Sequence, residues 1–227
     1  MKKIAKLIAL ALCFALLFGC ANANSKNTTS QPESQTPAAA TSQSALDILT
    51  TAKTATMFTS EPISEDHIKQ ILSAGLNAPS ARNSQPWHFS VVTNKDVLNQ
   101  IADAMSGGTS SASSSQQSSA PKRLGLADAP VAVFVYGTDN LPTDSFDCGL
   151  ATEAMSIAAL SLGYGTKILS SPSTTLNGEK KAEFDKLLQI PEGYSNVAVL
   201  LIGHNDVDAA TGASTRSSME EKVKFIN

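Results

Sequence analysis

The apolar patterning predicts an α+β domain over residues 45–227, and three observations carry that prediction. Helical periodicity recurs over 45–54, 64–76, 94–105, 146–163 and 179–188. Apolar, β-branched runs at 87–93, 130–136, 166–170 and 196–203 read as strands interleaved with those helices. A stretch of about 180 residues is the size of one domain.

The connection between the second helix and the first strand holds the densest chemistry. In Ala78-Pro79-Ser80-Ala81-Arg82-Asn83-Ser84-Gln85-Pro86-Trp87-His88-Phe89, side-chain amides and hydroxyls cluster ahead of the only tryptophan. Polar groups on a loop between rigid elements can line a pocket, and a planar ligand rich in hydrogen-bonding atoms, such as a flavin or nucleobase, suits them. The residues alone leave a plainer alternative open: Asn83 and Gln85 satisfy buried backbone, and Trp87 belongs to the core.

Ahead of the domain, Lys2, Lys3 and Lys6 form a basic start, Leu7 to Phe18 is apolar, and Leu17-Phe18-Gly19-Cys20 closes the run. This reads as a secretory signal of the bacterial lipoprotein type over residues 1–20, with Cys20 as the lipidated residue. The apolar run is short for a membrane span. A lipid anchor attaches a domain to a bilayer without inserting it, so the expected location is the extracytoplasmic face of the cell membrane. Residues 21–44 are mostly Ala, Asn, Ser, Thr, Gln and Pro. They cannot bury enough surface to fold, and are expected to form a disordered tether.

The whole chain has 17 basic and 20 acidic residues, and removing the three signal lysines takes the formal net charge to −6. An acidic chain with no basic run argues against nucleic acid and against electrostatic membrane binding. Cys148 is the one cysteine beyond the signal and Cys20, so no internal disulfide is expected. His67, His88 and His204 lack metal-ligand spacing, and no metal site is expected; His88 reads as a surface or packing residue.

Ser64, three residues before His67, is a serviceable helix N-cap. Asp147 reads as a cap of its helix rather than a catalyst. In helix 146–163, Leu150, Ala151, Ala154, Met155, Ile157, Ala158, Ala159, Leu160 and Leu162 leave almost no polar face. Burial on nearly all sides is expected, with a partner subunit covering one of them. Residues 106–120, rich in Ser, Gly, Thr and Gln, read as a long surface loop, either a lid or a disordered connection.

Several of these segments, in order, resemble the nitroreductase family of FMN-dependent oxidoreductases. Ala78–Phe89 is similar to its A-P-S-x-x-N-x-Q-P-W-x-F loop. Ala45-Leu46-Asp47-Ile48-Leu49 through Phe58, then Glu61-Pro62-Ile63-Ser64, resemble its opening helix and the link to the second. Asp128–Val133, Asp147–Ala151 running to Leu162-Gly163-Tyr164-Gly165-Thr166, and Pro191–Gly203 resemble its central strand, long buried helix with Gly-rich exit, and last core strand. The resemblance implies a three-layer fold with a central mixed β-sheet between helices. It also implies an obligate homodimer with the long helix at its interface and a C-terminal tail whose Met219, Val223 and Phe225 pack on the neighbour.

It implies FMN as well, held between subunits, taking hydride from NAD(P)H and passing it to a nitroaromatic, quinone or related small acceptor. The flavin supplies the redox chemistry, so no catalytic side chain is expected. Carried over by position, Pro79, Ser80, Asn83 and Gln85 approach the flavin, and Ser170 and Ser171 face its ring edge. The R-x-S-x-R phosphate pattern is incomplete: Ala52-Lys53-Thr54-Ala55-Thr56 keeps Thr54 but loses both basic positions. Lys53, Lys122 (with Arg123) and Arg216 are the replacement cations, although Lys53, if helical, points away from its neighbours' side.

Three readings follow. One is an FMN oxidoreductase, using a quinol or redox protein where NAD(P)H is absent. Another is an enzyme with a different flavin or atypical flavin attachment. The third is a degenerate, non-catalytic binding lipoprotein of the same fold.

Overall fold

The computed structural model describes residues 44–106, 124–205 and 216–226, all within the compact unit Thr41–Asn227. The signal segment with Cys20, residues 21–43 of the tether, residues 107–120 of the long loop, Lys122 and Arg123 lie outside the described residues. The helices are α1 (Ala45–Thr51), α2 (Glu65–Leu76), α3 (Lys95–Met105), α4 (Asp144–Ser161), α5 (Pro172–Leu176), α6 (Lys181–Leu188) and α7 (Met219–Lys222). The strands are β1 (Trp87–Val92), β2 (Val131–Gly137), β3 (Gly165–Leu169) and β4 (Ser195–Gly203).

The strands form one sheet in the order β1-β2-β4-β3. All three ladders are antiparallel, which corrects the mixed sheet expected above. Strand direction is set by the path of each connection rather than by the strand's own residues. Here the β1–β2 and β3–β4 connections reverse the chain, whereas the α4 crossing brings β3 back in the same direction as β2 but two places over, with β4 between them running the other way.

Period-2 alternation sends side chains to both faces, and both faces are covered. Val131, Val133 and Val135 of β2, with Leu200 and Ile202 of β4, pack against Ile71 of α2 and Cys148, Ala151, Met155 and Ala159 of α4. Ala132, Phe134 and Tyr136, with Val199 and Leu201, pack against Leu98 and Ile101 of α3, Leu176 of α5, and Phe184 and Leu188 of α6. This is the expected three-layer α+β architecture. α2 and α4 approach closely because Gly75 has no Cβ, which would stand 2.7 Å from Met155 Cγ.

Element ends follow local chemistry. Ser64 Oγ accepts from His67 N–H at 3.2 Å, as the N-cap reading requires. α4 ends where Gly163 turns left-handed at φ 85° and Tyr164 N–H donates to Ala159 O at 3.0 Å. α1 stops at Thr51, not residue 54, because Ala52 is already extended (ψ 136°). The chain then runs beside the sheet: Ala55 N–H donates to Thr166 O, Thr59 N–H donates to His204 O, and Phe58 bridges Asn205.

α4 is not buried on nearly all sides within one chain. Phe146, Gly149 and Glu153 are exposed, and Leu150, Ala154, Ile157 and Leu160 are half-buried. Within one chain α4 has the sheet, α2 and α1 as neighbours, and among the described residues its face at Phe146, Gly149 and Glu153 stays open.

Candidate functional site

The loop before β1 is held in an unusual backbone conformation. Arg82 (φ 56°), Asn83 (φ 55°) and Gln85 (φ 47°), none of them glycine, lie in the left-handed region. Such residues cost on the order of 1–3 kcal/mol each and persist only where surroundings over-determine them. Three contacts do so. Gln85 N–H donates to Ser80 Oγ at 3.0 Å, Ala81 N–H donates to Asp147 Oδ2 at 2.9 Å, and Thr138 N–H donates to Pro86 O at 3.1 Å. The result is a fixed turn that presents Asn83, Ser84 and Gln85 to solvent, with Pro79 exposed and Ser80 half-buried behind them.

Asp147 is therefore a positioning residue, not a helix cap. Its side chain is 3 % exposed, and it ties the first turns of α4 to the loop. The sequence offered only an aspartate near a helix start, which an N-cap explains equally well. Asp147→Ala removes a charge-assisted acceptor for a part-buried amide and is expected to cost about 1.5–3 kcal/mol. Urea denaturation checks the loss of stability, and amide exchange at Ala81 checks the loosened turn; unchanged protection at Ala81 would refute the clamp.

A second group of residues converges elsewhere. Leu49 and the segment Ala52-Lys53-Thr54 after α1, Glu153, Ser156 and Leu160 of α4, Thr166, Lys167 and Ile168 of β3, and Arg216 line a pocket of about 270 Å³. Because α1 ends early, Lys53 is not helical and the objection to it lapses: Lys53, Thr54 and Arg216 share one pocket. Ser156 and Thr166 hydroxyls bond each other at 2.9 Å in its wall. Lys167, half-buried, donates to Leu124 O at 2.8 Å. Two cations and a hydroxyl from separate segments make an anion cradle of the kind that phosphate requires. Ser156, Thr166, Lys167 and Glu153 were not foreseen, since only the fold brings β3 and α4 to the end of α1.

The two groups do not meet in one chain. The loop is clamped at Asp147, whereas the pocket uses Glu153, Ser156 and Leu160 of the same helix, about 9–20 Å further along its axis. Ser170 and Ser171, both exposed, follow β3. They lie across the sheet from the loop, about 14 Å away at three strand spacings.

A larger cavity of about 740 Å³ opens at the opposite end of the sheet among Phe58, Ile63, Ile68, Lys95 and Asp128. None of the described candidate cofactor-binding residues named from the sequence lines it. Among the described residues no group of three His, Cys, Asp or Glu side chains is placed to hold a metal. Two histidines converge instead on Tyr164, with His67 Nδ1 2.6 Å from its hydroxyl and the His204 ring against it.

Cys148 is chemically silent. Burial, then the Asp144 and Asp147 carboxylates, push its thiol up to about 12. At pH 8 the folded protein is expected to resist thiol reagents and to react only on unfolding, checked by labelling with and without denaturant. Its folded value lies above the unfolded one, so its contribution to stability is full below about 9 and is lost as the pH rises further.

The nitroreductase family model matches residues 53–204. The chain belongs to the nitroreductase family. A relative from Archaeoglobus fulgidus, named in the NADH dehydrogenase/NAD(P)H nitroreductase class, is 30 % identical over 164 residues, spanning 70 % of this chain and 84 % of that one. Two solved nitroreductases with bound FMN share the fold. That of Bacteroides fragilis has a TM-score of 0.70 at 21 % identity, covering 82 % of this chain and all of its own. That of Desulfitobacterium hafniense has a TM-score of 0.66 at 24 % identity, covering 81 % and 98 %. In this nitroreductase the matched region begins at Lys53, the first cation of the pocket, and ends at His204, one residue beyond β4.

Proposed function

We propose that this nitroreductase is an FMN-dependent oxidoreductase that works as a homodimer and passes electrons to a nitroaromatic, quinone or similar small acceptor. The observation that carries the reading is the meeting of Lys53, Thr54 and Arg216 in one pocket beside α4, while a strained polar loop is held ready at the other end of that helix. Bound FMN would supply the hydride and electron transfer chemistry. The chain's own residues hold it: Lys53, Thr54 and Arg216 at the phosphate, and Ser80, Asn83 and Gln85 with the backbone near Ser170 and Ser171 at the ring.

The homodimer follows from the separation of the two groups. A second copy laid along the outer face of α4 brings its loop to the first copy's pocket, completing what neither chain completes alone. The uncovered apolar surface supports the same arrangement. Phe146 is 66 % exposed, and Leu46, Leu49, Met219, Val223 and Phe225 are also solvent-facing, apolar surface that a partner could cover.

The signal reading places this dimer on the extracytoplasmic face, anchored through Cys20. NAD(P)H is scarce there, and a membrane quinol or a redox protein is the expected donor. A specific observation also favours the degenerate, non-catalytic reading: Ala52 lines the pocket without a charge, and Glu153 places a carboxylate in it. The visible spectrum of purified residues 21–227, recorded before and after adding FMN, separates the two. A flavin band that bleaches with dithionite and returns with a quinone supports the oxidoreductase. Protein that FMN does not saturate at micromolar concentration, and that transfers no electrons, supports the binding lipoprotein.

A further inference from the structure

Hydroxyls inside a helix ordinarily bond back to its own carbonyls, and two on α4 do so. Thr152 Oγ1 donates to Cys148 O at 2.7 Å, and Ser161 Oγ donates to Ile157 O at 2.8 Å. Ser156 departs from that pattern. It lies on the buried stripe of Thr152, Met155 and Ala159, but its Oγ reaches across to β3 and sits 2.9 Å from Thr166 Oγ1. Thr166 is paired with Ile202 in the β3–β4 ladder. Residues opposite each other in a ladder share a face, and Ile202 packs on the α4 side of the sheet. The fold therefore turns both hydroxyls toward the same gap, where each residue is only 5 % exposed.

The hydrogens of this pair do not all find partners. Each hydroxyl brings one. Their mutual bond uses one of the two, whichever oxygen donates, and the second has no acceptor among the described residues. A buried O–H without an acceptor is costly. Both residues line the pocket that holds Lys53, Thr54 and Arg216. Ala55 N–H donates to Thr166 O at 2.8 Å, which sets Thr54, the preceding residue, beside the pair. Ala52 and Thr56 stand where the R-x-S-x-R pattern has its basic side chains, so an anion here needs donors from elsewhere in the fold.

We propose that Ser156 and Thr166 act together as one hydrogen-bond donor to a phosphate oxygen of the bound flavin, and so help to set the preference for FMN over riboflavin. This rests on the FMN reading above and deepens it. A hydroxyl that accepts from its neighbour is polarised into a better donor, and a bond to an ionised oxygen is of the strong, charge-assisted kind. Burial between helix and sheet already fixes both side chains, so binding has little side-chain freedom to remove. Lys53 and Arg216, both exposed, must be ordered on binding.

Fluorescence-quenching titrations with FMN and with riboflavin test the pair. Ser156→Ala combined with Thr166→Val should weaken FMN binding roughly tenfold or more and leave riboflavin unchanged. Thr166→Val alone keeps the β-branched shape and the backbone carbonyl that holds Ala55; its loss should fall on FMN only. Thr166→Ser, which keeps the hydroxyl, should restore the parent preference. Urea denaturation of each variant confirms that it folds. Should the double variant not fold, the Val and Ser variants at position 166 carry the test. Equal losses for FMN and riboflavin would assign the pair to packing or to the ribityl chain and overturn the proposal. So would unchanged FMN binding, or a Thr166→Ser protein as weak as Thr166→Val. A parent protein that binds neither ligand overturns the FMN reading as well.

Discussion

Replacing Phe146 with Asp is expected to leave a folded domain that no longer self-associates and no longer holds FMN. Phe146 sits in the first turn of α4, 66 % exposed, and belongs to neither core cluster. The single chain therefore loses little when it is replaced, and an acidic residue near a helix N-terminus is favourable. A partner covering α4 would instead have to bury a carboxylate beside apolar side chains, after losing a large aromatic contact. Truncating a central interface aromatic commonly costs 2 kcal/mol or more, about 30-fold in the dimer dissociation constant, and the buried charge adds to it. Sedimentation velocity reads the assembly, and the visible spectrum reads the flavin. A Phe146→Asp protein that remains a yellow dimer would place the interface elsewhere.

The second large effect is expected from Lys53→Ala combined with Arg216→Ala. Hydrogen bonds from charged groups contribute about 1.5–3 kcal/mol each, with exposure of both side chains favouring the lower end. Together they should weaken FMN binding at least about 100-fold. Riboflavin, which lacks the phosphate, should bind the variant and the parent equally. Fluorescence-quenching titrations with both ligands check this. Equal losses for FMN and riboflavin would show that the pocket does not receive the phosphate.

Much of the fold was legible because its cores are periodic. Alternation in Val131–Gly137 and the apolar spacing of α2, α3 and α4 are produced by burial, and burial writes itself into sequence. α5 was missed for the opposite reason. Pro172–Leu176 is short and largely polar, held by Ser173 Oγ to Asn196 Oδ1 and by Asn177 Nδ2 to Asn196 O, both at 2.8 Å. Partners 19–23 residues away leave no local pattern. The same applies to the direction of strands and to the early end of α1, which pairing of Ala55 with Thr166 imposes from outside.

For the site, the loop residues were legible as a motif, and the structure adds that their backbone is strained and clamped by Asp147. The phosphate pocket was legible only in part. Lys53, Thr54 and Arg216 were named one by one, but whether they meet depends on a helix ending three residues sooner than its apolar pattern suggests. Glu153 and Lys167 carried no signal, because a charged residue on a helix or an edge strand ordinarily marks a solvated face.

The central claim is a flavin site completed by two copies of this chain. Sedimentation velocity of the domain with FMN present, followed simultaneously at the protein and flavin absorption bands, tests it most directly. The account predicts one boundary at the dimer's sedimentation coefficient carrying flavin at one per protomer. A monomer boundary without flavin, in the presence of excess FMN, would contradict it.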